Sequence, residues 1–77
     1  MTGREVVVSL FNRSGMTNEE CAAKLGISTK ALWDRFNTKK AKDMSVSVLS
    51  GMVRLFGYQV AVVRYDAKLP KGSYKVD

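Results

Sequence analysis

The sequence predicts a mainly α-helical domain with a small β part, in which four short helices are followed by a C-terminal strand or hairpin. Three observations lead to this fold class. Up to Gly57, apolar residues recur at the three-to-four spacing of amphipathic helices. Residues that favour helix N-termini precede these segments, and glycines follow most of them. From Tyr58 the period changes to two, and the residues become β-branched and aromatic.

The chain has the length and composition of one small folded domain. Its 77 residues are 45% hydrophobic, more than disordered chains usually carry. A chain this short hides only about 60% of the surface that its unfolded form exposes, so we expect a thin core and dimerisation. No apolar run approaches the roughly 20 residues that span a bilayer, and no signal-peptide pattern is present. We therefore expect a soluble, cytoplasmic protein.

Charge and residue types restrict the function. The formal net charge of +6 indicates a polyanionic partner, which is nucleic acid, an anionic membrane surface or an acidic protein. The chain has no histidine and one cysteine, Cys21, which argues against disulfide scaffolds, zinc fingers and Ser/His or Cys/His nucleophiles. The seven carboxylates form no evident catalytic pair, so we expect no enzyme activity, no metal and no cofactor. Cys21 itself is predicted to be a small buried hydrophobe.

The first predicted helix spans about residues 4–13. Thr2 precedes it and Glu5 follows three residues later, which is the pattern of a capping box. The β-branched run at residues 6–8 would also suit the start of a strand. We favour the helix because the larger side chains share one helical face. The residues on this face are Val7, Leu10, Phe11 and Ser14.

Two further short helices form the most informative segment. The first, about residues 18–25, follows Thr17 and ends at Gly26; the second, about residues 29–37, follows Ser28. Two short helices joined by a tight, glycine-containing turn form a helix-turn-helix, in which the first braces the second so that its N-terminal end enters a major groove. The predicted inward-facing residues are Cys21, Ala22, Leu25, Ile27, Leu32 and Phe36.

A fourth helix and a C-terminal segment complete the chain. Ser45 or Ser47 caps the helix, which runs to about Phe56, and residues 58–65 follow as a strand. After a turn at residues 70–72, the last residues either pair back on the strand as a hairpin or form a flexible basic tail. We therefore divide the chain into a helix-turn-helix domain, 1–57, and a C-terminal strand or hairpin, 58–77, that serves dimerisation.

Residues 16–28, Met-Thr-Asn-Glu-Glu-Cys-Ala-Ala-Lys-Leu-Gly-Ile-Ser, carry a resemblance to a known family. With Leu32 and the later Leu-Phe-Gly-Tyr at 55–58, they resemble the Cro/C1-type (XRE) helix-turn-helix proteins of phages and bacteria, over about residues 4–65. Arg35 stands where many members have an apolar residue, and Phe36 takes over the anchoring role. The resemblance implies a sequence-specific DNA-binding transcriptional regulator, a repressor, that acts as a homodimer on a pseudo-palindromic operator.

The resemblance also implies that the C-terminal strand pairs across the dimer. The strand has apolar residues on both faces, so a free edge would be an association hazard unless it is paired. Pairing within the chain, with residues 73–76, is the alternative. The predicted dimer-interface residues are Tyr58, Val60, Val62 and Arg64.

Positive charge clusters on and after the predicted recognition helix, as phosphate binding requires. Lys30 and Asn37 are suited to hydrogen bonds with base edges. Trp33 is suited to contact with a sugar, with a thymine methyl or with other protein side chains. Asp34 either accepts from cytosine or forms an ion pair with Lys30 or Lys24. The lysines after the helix are predicted to bind phosphates. The candidate DNA-binding residues are Thr17, Ser28, Thr29, Lys30, Trp33, Asp34, Asn37, Lys39, Lys40 and Lys42.

A second class of function fits the same features. A small phage-type inhibitor, anti-CRISPR-like, would use the scaffold and the positive surface to bind a host protein that handles nucleic acid. An exposed Trp33 would then anchor a protein contact. Binding to a protein in the absence of DNA affinity would discriminate this function from DNA binding.

Overall fold

The computed structural model describes residues 1–37 and 42–76, and this part of the chain is mainly α-helical, as predicted. Four helices follow one another with short connections. In chain order they are α1 (Gly3–Ser14), α2 (Asn18–Leu25), α3 (Thr29–Phe36) and α4 (Val46–Leu55). The longest has 12 residues, and none of the four is long and apolar enough to cross a membrane.

Side-chain caps begin the helices where the sequence predicts them. The Thr2 hydroxyl accepts from the Glu5 N–H at 3.1 Å, and the Thr2 N–H donates to the Glu5 carboxylate at 2.9 Å. The bond from the Thr2 N–H to the carboxylate, helped by the Thr2 side chain, holds the pKa of Glu5 below its ordinary value of 4.5. Of the two serines considered for α4, Ser45 is the cap, and its hydroxyl accepts from the Val48 N–H at 3.2 Å. The β-branched run in α1 is helical because Val6 and Val7 pack into the core.

The core lies where α1 crosses α3 and α4 and where α2 crosses the same two helices. The predicted small side chains of α2 are fully covered, which lets the short helices approach closely. The predicted anchor of α3, Leu32, is only 1% exposed. The buried apolar residues are Val6, Val7, Leu10, Cys21, Ala22, Leu32, Leu49, Met52 and Val53.

The C-terminal segment forms no strand in the part of the chain that the structure describes, so the predicted strand or hairpin is not shown. After α4, Gly57 has a φ of 83°, and the Tyr58 N–H donates to the Val53 carbonyl at 2.9 Å. The chain leaves the core and returns, so that the rings of Tyr58 and Tyr74 lie 5.8 Å apart. A strand exists only when a second backbone hydrogen-bonds along it. Within one chain, no second backbone pairs with residues 58–65 in the described part of the structure.

Candidate nucleic-acid interface

A tight, glycine-containing turn joins α2 and α3. Gly26 has a φ of 70°, the left-handed conformation that ends a helix without a steric cost for glycine. The Ile27 N–H donates to the Ala22 carbonyl at 3.0 Å, and the Gly26 N–H donates to the Ala23 carbonyl at 3.2 Å. This pair of bonds is a Schellman motif. The motif ends α2. Ile27 then packs against the core, and Ser28 caps the start of α3.

Helix α3 has one face in the core and one face in solvent. Leu32 is buried and Phe36 packs against the core, whereas Lys30, Trp33 and Asp34 are exposed. Positions three and four apart lie on the same helical face, so the three exposed residues form one surface, which we call the reading face. Trp33 is 66% exposed. The Trp33 side chain therefore lies outside the core, beside one cation and one anion.

The predicted polar residues at the helix starts have capping roles. The Thr17 hydroxyl accepts from the Glu20 N–H at 3.2 Å and donates to the Glu20 carboxylate at 3.1 Å. The Ser28 hydroxyl accepts from the Ala31 N–H at 3.1 Å. Thr17, Ser28 and Thr29 are all exposed. The first amides of α2 and α3 therefore lie at the surface, where helix N-termini favour anions.

The C-terminal end of α3 differs slightly from the prediction. The helix ends at Phe36, and Asn37 is the residue after it, with its N–H donating to the Asp34 carbonyl at 3.3 Å. Asn37 is half-buried, so it is less accessible than the reading face. The predicted ion pair of Asp34 with Lys30 or Lys24 is not found among the described residues. Asp34 is therefore a solvated acid on the reading face.

The predicted phosphate-binding lysines are described in part. Lys42 is exposed, and its carbonyl oxygen accepts a hydrogen bond from the guanidinium of Arg4 at 2.8 Å. Lys39 and Lys40 lie outside the described residues. The Lys42 side chain is thus in solvent, while its backbone is hydrogen-bonded to Arg4 of α1.

Two residues near this surface were missed by sequence reasoning. Arg4 is only 7% exposed, and its guanidinium donates to the carbonyls of Arg35 and Lys42. Asp43 accepts from the backbone N–H groups at the start of α1 and from its own neighbour Met44. Burial raises the pKa of Asp43, but these hydrogen bonds and the Arg4 charge outweigh burial, so the pKa lies below its ordinary value of 3.8.

Cys21 is a packing residue, as predicted. It lies on α2 and is fully buried in the core. Burial raises the pKa of its thiol, because the charged thiolate would lose its hydration. The thiol is therefore protonated at neutral pH, and the thiolate that redox chemistry or metal binding requires is disfavoured.

The predicted dimer-interface residues lie in the C-terminal segment. Tyr58 is half-buried against Tyr74, whereas Val60 is 43% and Val62 is 101% exposed. The Arg64 guanidinium lies 3.8 Å from the Asp66 carboxylate, with both side chains in solvent. Only the first of the four predicted residues is thus engaged by apolar packing within the chain.

The comparisons with known proteins return no match for this chain: no protein-family model, no curated protein and no solved structure.

Proposed function

We propose that this chain is a sequence-specific regulator that binds double-stranded DNA, of the Cro/C1 (XRE) type, and that it acts as a repressor without enzymatic activity. One observation carries the proposal. A Schellman turn joins two eight-residue helices, and the second helix presents Lys30, Trp33 and Asp34 to solvent while Leu32 fixes it to the core. In a helix-turn-helix, this is the face that enters the major groove.

Side-chain chemistry on the reading face supports base readout. Lysine donates to the acceptors of guanine, an aspartate accepts from cytosine, and an exposed indole contacts a thymine methyl or a sugar. The caps at Thr17 and Ser28 leave the first amides of α2 and α3 at the surface, where phosphates bind. The net charge of +6 and the exposed Lys42 favour a polyanion.

The C-terminal segment supports a homodimer on a two-fold symmetric operator. Apolar residues that are β-branched or aromatic lie in solvent there, among them Val62 and Tyr65 at 101% and 99% exposure. A second copy would supply the backbone that a strand at residues 58–65 needs, and pairing would cover these side chains. Two reading helices in one dimer would then contact successive major grooves.

Fluorescence anisotropy tests the proposal. The purified chain is titrated into a labelled duplex from the region upstream of its own coding sequence, at two salt concentrations, with an unrelated duplex as competitor. We expect saturable binding that survives the competitor and weakens steeply with salt. Binding that salt abolishes equally for both duplexes would be generic attraction to a polyanion and would contradict the proposal.

The exposure of Trp33 favours a second candidate function. Tryptophan is enriched at the centres of protein interfaces, and here 66% of its surface lies in solvent. The second candidate is an anti-CRISPR-like inhibitor that binds a host protein handling nucleic acid. It predicts stoichiometric binding to such a protein together with absence of specific DNA binding, so the same titration separates the two functions.

A further inference from the structure

Among the residues that the structure describes, Arg4 is the one charged residue that is buried, with 7% of its surface exposed. Burying a guanidinium is costly unless its donors find acceptors. Here Nε donates to the Arg35 carbonyl at 2.9 Å and Nη1 donates to the Lys42 carbonyl at 2.8 Å. One planar group therefore binds two backbone positions that are seven residues apart in sequence.

The first of these positions is the C-terminal end of α3. Arg35 lies in the last turn of the helix, where carbonyl groups have no partner within the helix and carry the negative end of its dipole. A buried cation at this carbonyl stabilises the helix end. The second position, Lys42, immediately precedes the residues that lead into α4.

Asp43, the residue after Lys42, binds the start of α1. Its carboxylate accepts from the Gly3 N–H at 2.8 Å and from the Arg4 N–H at 3.0 Å. A Cβ at position 3 would lie 3.2 Å from the Asp43 carboxylate and 3.1 Å from Leu49, so this close approach suits glycine. The backbone at Lys42 and Asp43 is thus held to α1 by a cationic and an anionic side chain.

We propose that Arg4 is a positioning residue for DNA binding: it fixes the backbone of Lys42 against the C-terminal end of α3, so that the Lys42 ammonium and the reading face meet DNA as one rigid unit. This inference rests on the proposed function. The guanidinium is suited to the task because its donors form a rigid fork, whereas the single ammonium of a lysine on a flexible stem does not hold two carbonyls in a fixed geometry.

The test uses the full chain with Arg4→Lys, with Lys42→Ala and with both substitutions. In duplex titrations over a range of salt, Lys42→Ala is expected to lower the salt slope by about 1. Arg4→Lys is expected to lower it by a similar amount, and the double variant by no more than Lys42→Ala alone, because both changes remove the same contact. Arg13→Lys, at an exposed arginine that donates to the Tyr74 hydroxyl, is the matched control and should leave the slope unchanged.

A second readout does not depend on DNA. In the unmutated chain, the Arg4 Nε proton should exchange with solvent at least about tenfold more slowly than that of the exposed Arg54, as expected for a hydrogen bond from a buried charged group. In Arg4→Lys, the NMR order parameter of the Lys42 amide should fall from about 0.85 towards 0.6, while that of Lys30 stays the same.

Each outcome decides a different point. If the unmutated chain binds no duplex specifically, the proposed function is wrong, and the proton exchange and the Lys42 order parameter still decide whether Arg4 holds this backbone. If Arg4→Lys leaves either the Lys42 order parameter or the salt slope unchanged, or if its effect adds to that of Lys42→Ala, the positioning role is wrong. If Arg4→Lys does not fold, the exchange measurement on the unmutated chain still tests the proposal. Rapid exchange of the Arg4 Nε proton would by itself show that the proposal is wrong.

Discussion

The ring of Phe11 in α1 packs against the ring of Phe36 in α3, with centroids 4.9 Å apart and planes inclined at 46°. Tilted aromatic pairs at this distance contribute stabilisation beyond the area that they bury. The contact lies at the C-terminal end of α3, four residues after the buried Leu32. The inward face of α3 is therefore fixed at its middle and at its C-terminal end, and this attachment turns the reading face towards solvent.

Phe36→Ala is expected to lower the free energy of unfolding by about 2–3 kcal/mol, below the usual range for a fully buried phenylalanine because Phe36 is half-buried. The loss combines apolar burial with the ring contact to Phe11. Urea denaturation followed by circular dichroism measures it. Phe36→Leu, which keeps most of the apolar volume, should lose about half as much. Equal losses in the two variants would show that the ring contact itself sets the stability.

Trp33→Ala should behave in the opposite way. Its side chain is 66% exposed, so the free energy of unfolding should change by no more than about 0.5 kcal/mol. Specific duplex binding should weaken by about tenfold, the effect of removing an interface anchor. Anisotropy and urea denaturation on the same preparation separate the two effects. A large loss of stability with unchanged DNA binding would make Trp33 a packing residue.

The helix starts could be predicted because their signals are local. Thr2 and Glu5, like Thr17 and Glu20, are three residues apart, and each pair forms the hydrogen bonds that its spacing predicts. The left-handed Gly26 is equally local. The inward face of α3 followed from the four-residue spacing of two apolar side chains. The reading face could therefore be predicted as the other side of the same helix.

The attachment of Arg4 could not be predicted in this way. Its acceptors are 31 and 38 residues away along the chain, and an arginine in the first turn of a helix usually remains in solvent. The strand predicted from Tyr58 is not shown in the described residues for a related reason. Alternation and β-branching describe what a segment favours, whereas the ladder depends on a second backbone.

Two lysines should have different effects on DNA binding. Lys42→Ala should weaken binding to all duplexes and lower the salt slope by about 1, whereas Lys30→Ala should in addition relax specificity at one base pair of the operator. Competition with single-substituted duplexes measures the difference. Lys68→Ala, an exposed lysine in the C-terminal segment, is the control and should leave both properties unchanged. If Lys30→Ala reduced all duplexes equally, Lys30 would be a phosphate contact.

The proposed dimer can be tested by a substitution at Val62. Because this side chain is 101% exposed within one chain, Val62→Asp should not lower the stability of a monomer, but it should place charges in the paired segment and dissociate the dimer. Sedimentation velocity over a range of concentrations measures association. Val46→Asp makes the same change at another exposed valine, at the start of α4, and should leave association unchanged. A monomer at every concentration before substitution would contradict the dimer.

Asp43 should make the fold sensitive to acid. Its pKa in the folded chain lies below the ordinary value of 3.8, because the hydrogen bonds from Gly3, Arg4 and Met44 and the Arg4 charge outweigh the opposing effect of burial. A depressed pKa means that the stabilisation is complete above the unfolded value and is lost as the pH falls through the folded value. The free energy of unfolding should therefore decrease below about pH 4.

Asp43→Asn removes the titration while keeping an oxygen acceptor. It should lower the free energy of unfolding by about 1 kcal/mol at pH 7, where a charge-assisted bond becomes a neutral one, and should reduce the difference between pH 7 and pH 3. Part of that difference remains because the pKa of Glu5 is lowered by its hydrogen bonds with Thr2. Asp66→Asn is the matched control: its ion pair with Arg64 is exposed and worth little, so the acid sensitivity should be retained. If Asp43→Asn and the unmutated chain lost the same stability in acid, the carboxylate would not be coupled to folding.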